Sequence, residues 1–297
     1  GIEGKLFHNK LDFVVDVFHD QRNGIFQQRV QVPEYVGVVS NPYANVGKMK
    51  SYGADGNISF MQDITPDFGF TIRGNFTYSK NKVQNWEQAD PKYPYQQISG
   101  MPYGVQRGYI ALGLFRDDQD VESSPSQFGT VRPGDIKYKD QNDDGLLSDL
   151  DRIAVKNSSN PEMTMSLRLG VKYKGFFVNA MFQGVSGYQQ KITELYTLET
   201  GSLQRFQKYH LTDTWSEDNR NATYPRVKIT NKNDNNRQES TFWVKDCDFI
   251  RLKSLSLGYS FSGETLKKMK LSSSSISLQR SNLFTWSTLK DMDPESL

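Results

Sequence analysis

The chain has 297 residues, 36% of them hydrophobic and 12% aromatic, with a net charge of +2, which leaves room for one large domain or two ordinary ones and speaks against a nucleic-acid binder. Mean hydropathy is −0.66, and no apolar run approaches the roughly 20 residues that a membrane helix needs. A single Cys247 leaves neither an intrachain disulfide nor a multi-cysteine metal site, and His8, His19 and His210 lie far apart without a catalytic frame.

The first predicted element is a hairpin: Ile2–Leu6, a turn at His8 and Asn9, then a strand with Leu11, Phe13, Val15 and Val17 on one face. A polar stretch, 19–50, follows. The second hairpin puts Tyr52, Ala54, Gly56, Ile58 and Phe60 on one face, turns at Thr65-Pro66-Asp67, and returns with Phe68, Phe70, Ile72, Gly74, Phe76 and Tyr78 alternating with residues such as Arg73. A long polar segment, 81–161, separates it from the third. There Met163, Met165, Leu167, Leu169, Val171 and Tyr173 alternate with Thr164, Ser166, Arg168, Gly170 and Lys172. A Lys174-Gly175 turn leads into Phe176, Val178, Ala180 and Phe182.

Residues 187–240 form the third polar stretch, in which Lys191–Tyr209 includes a short helix as a loop element. The last hairpin carries Leu255, Leu257, Tyr259 and Phe261 on one face and returns through Ile276 and Leu278. One irregularity precedes it. Backward from Ser254 the apolar residues Leu252 and Ile250 change face, which puts Arg251 and Lys253 on the apolar side. A charge against hydrocarbon costs on the order of 2–4 kcal/mol at the midplane. Either these residues lie above the bilayer or a bulge resets the register.

Period-two alternation places one residue set on each face of a strand. A soluble sandwich would bury the apolar set; a transmembrane barrel turns it to lipid and lines a wet lumen with the polar set. Arg168 and Lys172 on the polar face favour the barrel. So does the asymmetry of the connections, with short turns within hairpins and long polar loops between them. That is the arrangement of outer-membrane barrels, periplasmic below and extracellular above. The fold expected is all-β, an antiparallel transmembrane barrel portion of about eight strands in four hairpins.

The sharpest chemical motif lies in 81–161. From Asp140 to Asp151 the chain places side-chain oxygens at Asp140, Asn142, Asp144 and Asp151, a glycine at Gly145 and the Leu146 carbonyl next to it. This spacing matches a calcium loop, with Asp151 in place of the usual Glu. The alternative is an acidic turn closed by Asx hydrogen bonds without a metal. The loops also carry Trp86, Tyr93, Tyr95, Tyr103, Trp215 and Tyr224, whose faces suit either sugar stacking or loop packing.

Several ordered motifs together resemble the C-terminal part of SusC/RagA-class TonB-dependent outer-membrane transporters. They are Pro133-Gly134-Asp135-Ile136-Lys137-Tyr138-Lys139-Asp140, Tyr173-Lys174-Gly175-Phe176, Asp213-Thr214-Trp215, Ala222-Thr223-Tyr224-Pro225-Arg226, Phe249 through Tyr259, Asn282-Leu283-Phe284-Thr285-Trp286 and Asp293-Pro294-Glu295. The resemblance covers essentially the whole chain. It implies a 22-stranded plugged barrel of the bacterial outer membrane, a SusD-like surface lipoprotein as lid, energy supplied by TonB, and an oligosaccharide or, less often, a peptide as cargo. It also implies that the plug domain, the opening half of the barrel and a final closing strand lie outside this sequence. Two other functions compete: a secreted calcium-stabilised glycan-binding β-protein, and an outer-membrane hydrolase. The second lacks a nucleophile with a base in reach.

Overall fold

A computed structural model describes residues 1–37, 39–156, 160–192, 208–227, 235–261, 266, 271, 273–289 and 292–295. The expected helix around Lys191–Tyr209 falls mostly outside them. In chain order the strands are β1 (Ile2–Leu6), β2 (Leu11–Gln28), β3 (Tyr43–Asp63), β4 (Phe68–Asn85) and the short β5 (Gln106–Gly108), β6 (Ala111–Leu114), β7 (Ile136–Tyr138) and β8 (Ile153–Lys156). Then come β9 (Met163–Tyr173), β10 (Phe176–Ser186), the short β11 (Gln189–Lys191) and β12 (Val244–Asp246), and finally β13 (Phe249–Phe261) and β14 (Ser274–Ser287).

Eight strands form one antiparallel sheet in the order β1-β2-β3-β4-β9-β10-β13-β14. The four expected hairpins are its successive pairs. Lys174 at φ 47° and Gly175 at φ 86° make the mirror-image turn whose twist matches the flanking strands. Phe7, His8 and Asn9 all have φ near +60°, so the first hairpin turns through three left-handed residues, none of them glycine.

On β4 the outward face runs without a charge from Phe68 to Tyr78. At about 3.4 Å per residue and a tilt near 40°, that projects to roughly 26 Å, the height of an outer-membrane apolar band. Aromatic rings mark its lower edge: Phe68 against Tyr173 at 6.3 Å, Phe176 against Tyr259 at 4.8 Å and Tyr259 against Phe261 at 5.1 Å. Leu167, Leu169, Ile58 and Leu257 stand exposed on this face. Nothing packs over it among the described residues.

Three expectations need correction. The stretch 19–50 is not a loop: β2 runs to Gln28 and β3 starts at Tyr43, joined by a ladder that runs through Arg22↔Met49 and shifts register around Gly24. Above the lipid a strand needs no apolar face, so hydropathy stops marking it while its backbone pairing continues. For the same reason β4 reaches Asn85, so the second long loop starts after it. The third loop extends to the start of β13 at Phe249 instead of ending at 240.

The Arg251 irregularity is a bulge. Lys253 is skipped in both ladders, where Met181↔Ser254 is followed by Phe182↔Leu252, and Ser254↔Ser281 by Leu252↔Phe284. The register resets, Ile250 joins the lipid side at 45% exposure, and Arg251 turns inward at 3%. Its guanidinium is held by Asp293 and, at 2.5 Å, by Glu295.

The apolar core lies above the sheet rather than within it. Tyr109, Ile136, Tyr138, Leu147, Ile192, Tyr224 and Trp243 cluster with Phe128 and Phe242 against them. All come from the two long connections, 86–162 and 187–248, which pack into one loop layer. Their apolar residues follow no period, so hydropathy alone marks these segments as polar loops.

Candidate functional site

The loop layer is stitched by buried polar groups. Asp135, fully buried, accepts Arg226 Nη2 at 3.0 Å, the Arg132 amide at 3.0 Å and Asn236 Nδ2 at 2.9 Å, with Arg226 Nε at ion-pair distance, 2.9 Å. Asn236 Oδ1 accepts the Ile136 amide at 2.8 Å, and Asn235 Nδ2 donates to the Ile136 carbonyl at 2.6 Å. Tyr138 donates through its hydroxyl to the Asn235 carbonyl at 2.8 Å. These bonds fasten the 86–162 segment to the 187–248 segment. None of these residues is singled out in the sequence as a pair. Asp135 and Arg226 stand in quoted motifs, but nothing in their spacing couples them.

The acidic loop closes on itself. Asp140 Oδ2 accepts the Gly145 amide at 2.6 Å, and Asp151 accepts the amides of Gln141 and Ser148, both at 2.8 Å. Asn142 Oδ1 accepts the Asp144 amide at 3.1 Å while its Nδ2 donates to Asp144 Oδ2 at 2.8 Å, and Asp144 Oδ1 accepts the Leu146 amide at 3.0 Å. Gly145, at φ 85°, supplies the left-handed turn that the loop requires. Asp140 and Asp151 are buried. Burial works against ionising Asp140, but amide donation from Gly145, Asp144 and Asp143 outweighs it and holds the carboxyl below its ordinary value.

Carboxylate oxygens of this kind suit a hard cation in chemistry, and Asp140 contacts Asp151. In the present arrangement their oxygens serve loop amides. Among the described residues no three His, Cys, Asp or Glu side chains are grouped to hold a metal.

The aromatic residues separate into groups. Tyr93 and Tyr95 stack in parallel at 5.3 Å, and the Tyr95 hydroxyl donates to the Leu150 carbonyl at 2.8 Å, so this pair sits on the acidic loop. Burial, and then the charges of Asp151, Asp140 and Asp144, push the Tyr95 phenol up. Trp86 packs on Tyr103 at 5.5 Å. Trp215 lies flat over Gly134, where a Cβ would stand 2.3 Å from the indole. Its amide donates to the Tyr224 carbonyl at 3.0 Å. Tyr224 belongs to the buried core, so its ring faces are taken up by packing. The structure therefore joins Tyr93 and Tyr95 to the acidic loop and Trp215 to Tyr224. No described ring contact links Trp86 to either group.

The sequence profile of the family described as TonB dependent receptor-like, beta-barrel matches residues 1–188. The chain belongs to this family. TonB-dependent receptors P3 and P26 of Formosa agariphila are 27% and 23% identical to it, over 100% and 99% of the chain. The chain spans only 30% of the length of each of these relatives. Among solved structures, the RagAB peptide importer in its open-open state superposes with a TM-score of 0.70 at 21% identity, covering 99% of this chain and 31% of the other. A second, titled the RagAB peptide transporter, gives 0.67 at 22%. These likenesses show a shared fold. The TonB-dependent receptor barrel is an outer-membrane structure, and an apolar band edged by aromatic rings is what such a barrel turns to lipid.

Proposed function

We propose that the chain is the C-terminal barrel portion of a SusC/RagA-type importer that carries oligomeric cargo, a glycan in the first instance, across the outer membrane. In this reading the work is binding and translocation rather than covalent chemistry. A SusD-like surface lipoprotein closes over the loop layer, and TonB engages a part of the protein outside this chain. The observation that carries the reading is a packed loop layer with its own core, standing on a sheet whose apolar face is bare. A rim that rigid suits a docking lid and a bulky cargo. The half-buried rings of Trp86, Tyr93, Tyr95 and Trp215 are the stacking surfaces offered to it, and calcium in the Asp140–Asp151 loop, with Asn142, Asp144 and the Leu146 carbonyl, stiffens the support beneath Tyr95.

Peptide cargo is the second reading, favoured by the RagAB likeness in fold. Uptake in cells lacking the full-length transporter separates the two. Loss of growth on a defined oligosaccharide with peptide uptake intact supports the glycan reading, and the reverse replaces it with the peptide reading. Normal uptake of both removes the importer proposal. For the metal, Asp140→Ala in the full-length protein is expected to abolish calcium-dependent protection of 140–151 from hydrogen exchange. Unchanged protection with and without calcium makes the loop an acidic turn only.

A further inference from the structure

The outward face of β2, β3 and β4 changes chemistry abruptly just above the apolar band. Val17, Ala54 and Tyr78 form its last row, by the pairings Val17↔Ala54 and Ala54↔Tyr78. The next outward row is His19, Tyr52 and Lys80, and the one above it Gln21, Lys50 and Lys82. No bulge interrupts these ladders there, so all six side chains share the lipid-side face. Lys48 follows on β3 opposite Asn23.

Lys50 and Lys82 are direct cross-strand partners. Like charges so placed destabilise a sheet unless something answers them. Lys80 is answered by Glu162 at 2.8 Å. Lys50 and Lys82 have no carboxylate partner among the described residues. Beside them opens a cavity of about 510 Å³, lined by Tyr52, Lys80, Lys82, Pro102, Pro161 and Glu162 among others. Its size is that of a small-molecule site.

A ligand that answers these features has an anionic head at the height of the lysines and acyl chains lying against Val17, Ala54 and Tyr78. We propose that this patch binds the phosphate groups of a phosphorylated glycolipid of the outer leaflet, with the sugar head against Tyr52 and the cavity mouth. Basic residues at a membrane surface bind anionic headgroups in this way. A free anion would gain nothing from the apolar rows below, and a soluble protein partner would have to displace lipid to reach Lys80.

The test uses the full-length transporter purified in detergent, with bis-phosphorylated lipid A, the same lipid stripped of phosphate, and inorganic phosphate as probes. Bound lipid is counted by native mass spectrometry. The triple variant Lys50→Gln, Lys80→Gln, Lys82→Gln is expected to hold bis-phosphorylated lipid A at least about tenfold more weakly than wild type. Stripped lipid should bind both proteins alike. A control variant at the opposite rim, Lys172→Gln with Lys174→Gln, should behave as wild type. Equal retention by wild type and triple variant overturns the proposal, as does stripped lipid binding as tightly as phosphorylated lipid. Inorganic phosphate displacing the lipid fully at low millimolar concentration reassigns the patch to a free anion. If the triple variant fails to assemble, judged by heat-dependent gel mobility, the exposed Lys82→Gln alone carries the test, with an expected weakening of roughly fivefold.

Discussion

Leu255 of β13 and Arg280 of β14 stand directly opposite each other, which places a guanidinium on the same lipid-side face as the leucine. The sequence pattern points instead to Arg251 and Lys253, and the bulge at Lys253 clears both. Arg280 lies between Ile276 and Trp286 along β14, near the middle of the band, and has no partner among the described residues. An arginine at that depth costs on the order of 2–4 kcal/mol. Arg280→Leu in the full-length protein should therefore raise barrel stability by about that amount in a urea refolding titration into lipid vesicles. A destabilised variant would mean that a strand beyond β14 supplies Arg280 with a polar partner.

The face assignment predicts a labelling pattern. Cysteines at Leu169 and Leu257 should resist a membrane-impermeant maleimide, while cysteines at Arg168 and Ser256 should react, in a background lacking the buried Cys247. Equal reaction of both sets would invert or abolish the inside–outside reading. Leu169→Arg should cost on the order of 2–4 kcal/mol near the midplane.

The Asp135 clamp should be worth more than any surface ion pair here. Removing one partner of a buried, hydrogen-bonded charge pair leaves the other uncompensated, at a cost of about 3–5 kcal/mol. Asp135→Ala should therefore loosen the loop layer while leaving the sheet intact. The measurement is hydrogen exchange, with protection lost at 136–138 and 235–238 and kept in β9 and β10. Unchanged protection at Ile136 would show the clamp to be dispensable.

Glu87 ties the loop start to the end of β2, accepting the Gln31 amide at 2.9 Å, the Val30 amide at 3.1 Å and Arg29 Nε at 2.5 Å. Donation by the Gln31 amide, followed by that of Val30 and Arg29, holds its carboxyl below the ordinary 4.5. A depressed carboxylate contributes stability that is complete above its unfolded value and disappears as pH falls through the folded one. Protection factors at Val30 and Gln31, corrected for intrinsic exchange, should thus be flat from neutrality to about pH 4.5 and fall below it. Glu87→Gln should remove that step; a step persisting in the variant would belong to another group.

The hairpins were legible because each membrane strand must put an apolar side chain outward at every second position, and Leu167, Leu169 and Val171 obey that rule without interruption. The upper halves of β2 and β3 were illegible because above the lipid nothing enforces the rule: Lys48 and Lys50 occupy outward positions as readily as Tyr52. The acidic loop was visible from local spacing alone, since its donors and acceptors lie within a dozen residues. Asp135 with Arg226, and Arg251 with Asp293 and Glu295, could not be read that way. Each pair joins distant segments, and each choice depends on how loops fold over one another.

That distance has a further consequence for assembly. Ile136 and Asn236 are separated by 100 positions, and the whole β9–β10 hairpin lies between them in the chain. Their bond closes a loop of chain that contains this hairpin, which is itself paired between β4 and β13. Contacts so remote in sequence form slowly. The outer cap is thus a late step that reports correct strand order below: a barrel with a misplaced hairpin would reach the cell surface with its cap unlatched and its interior aromatic residues open to proteases.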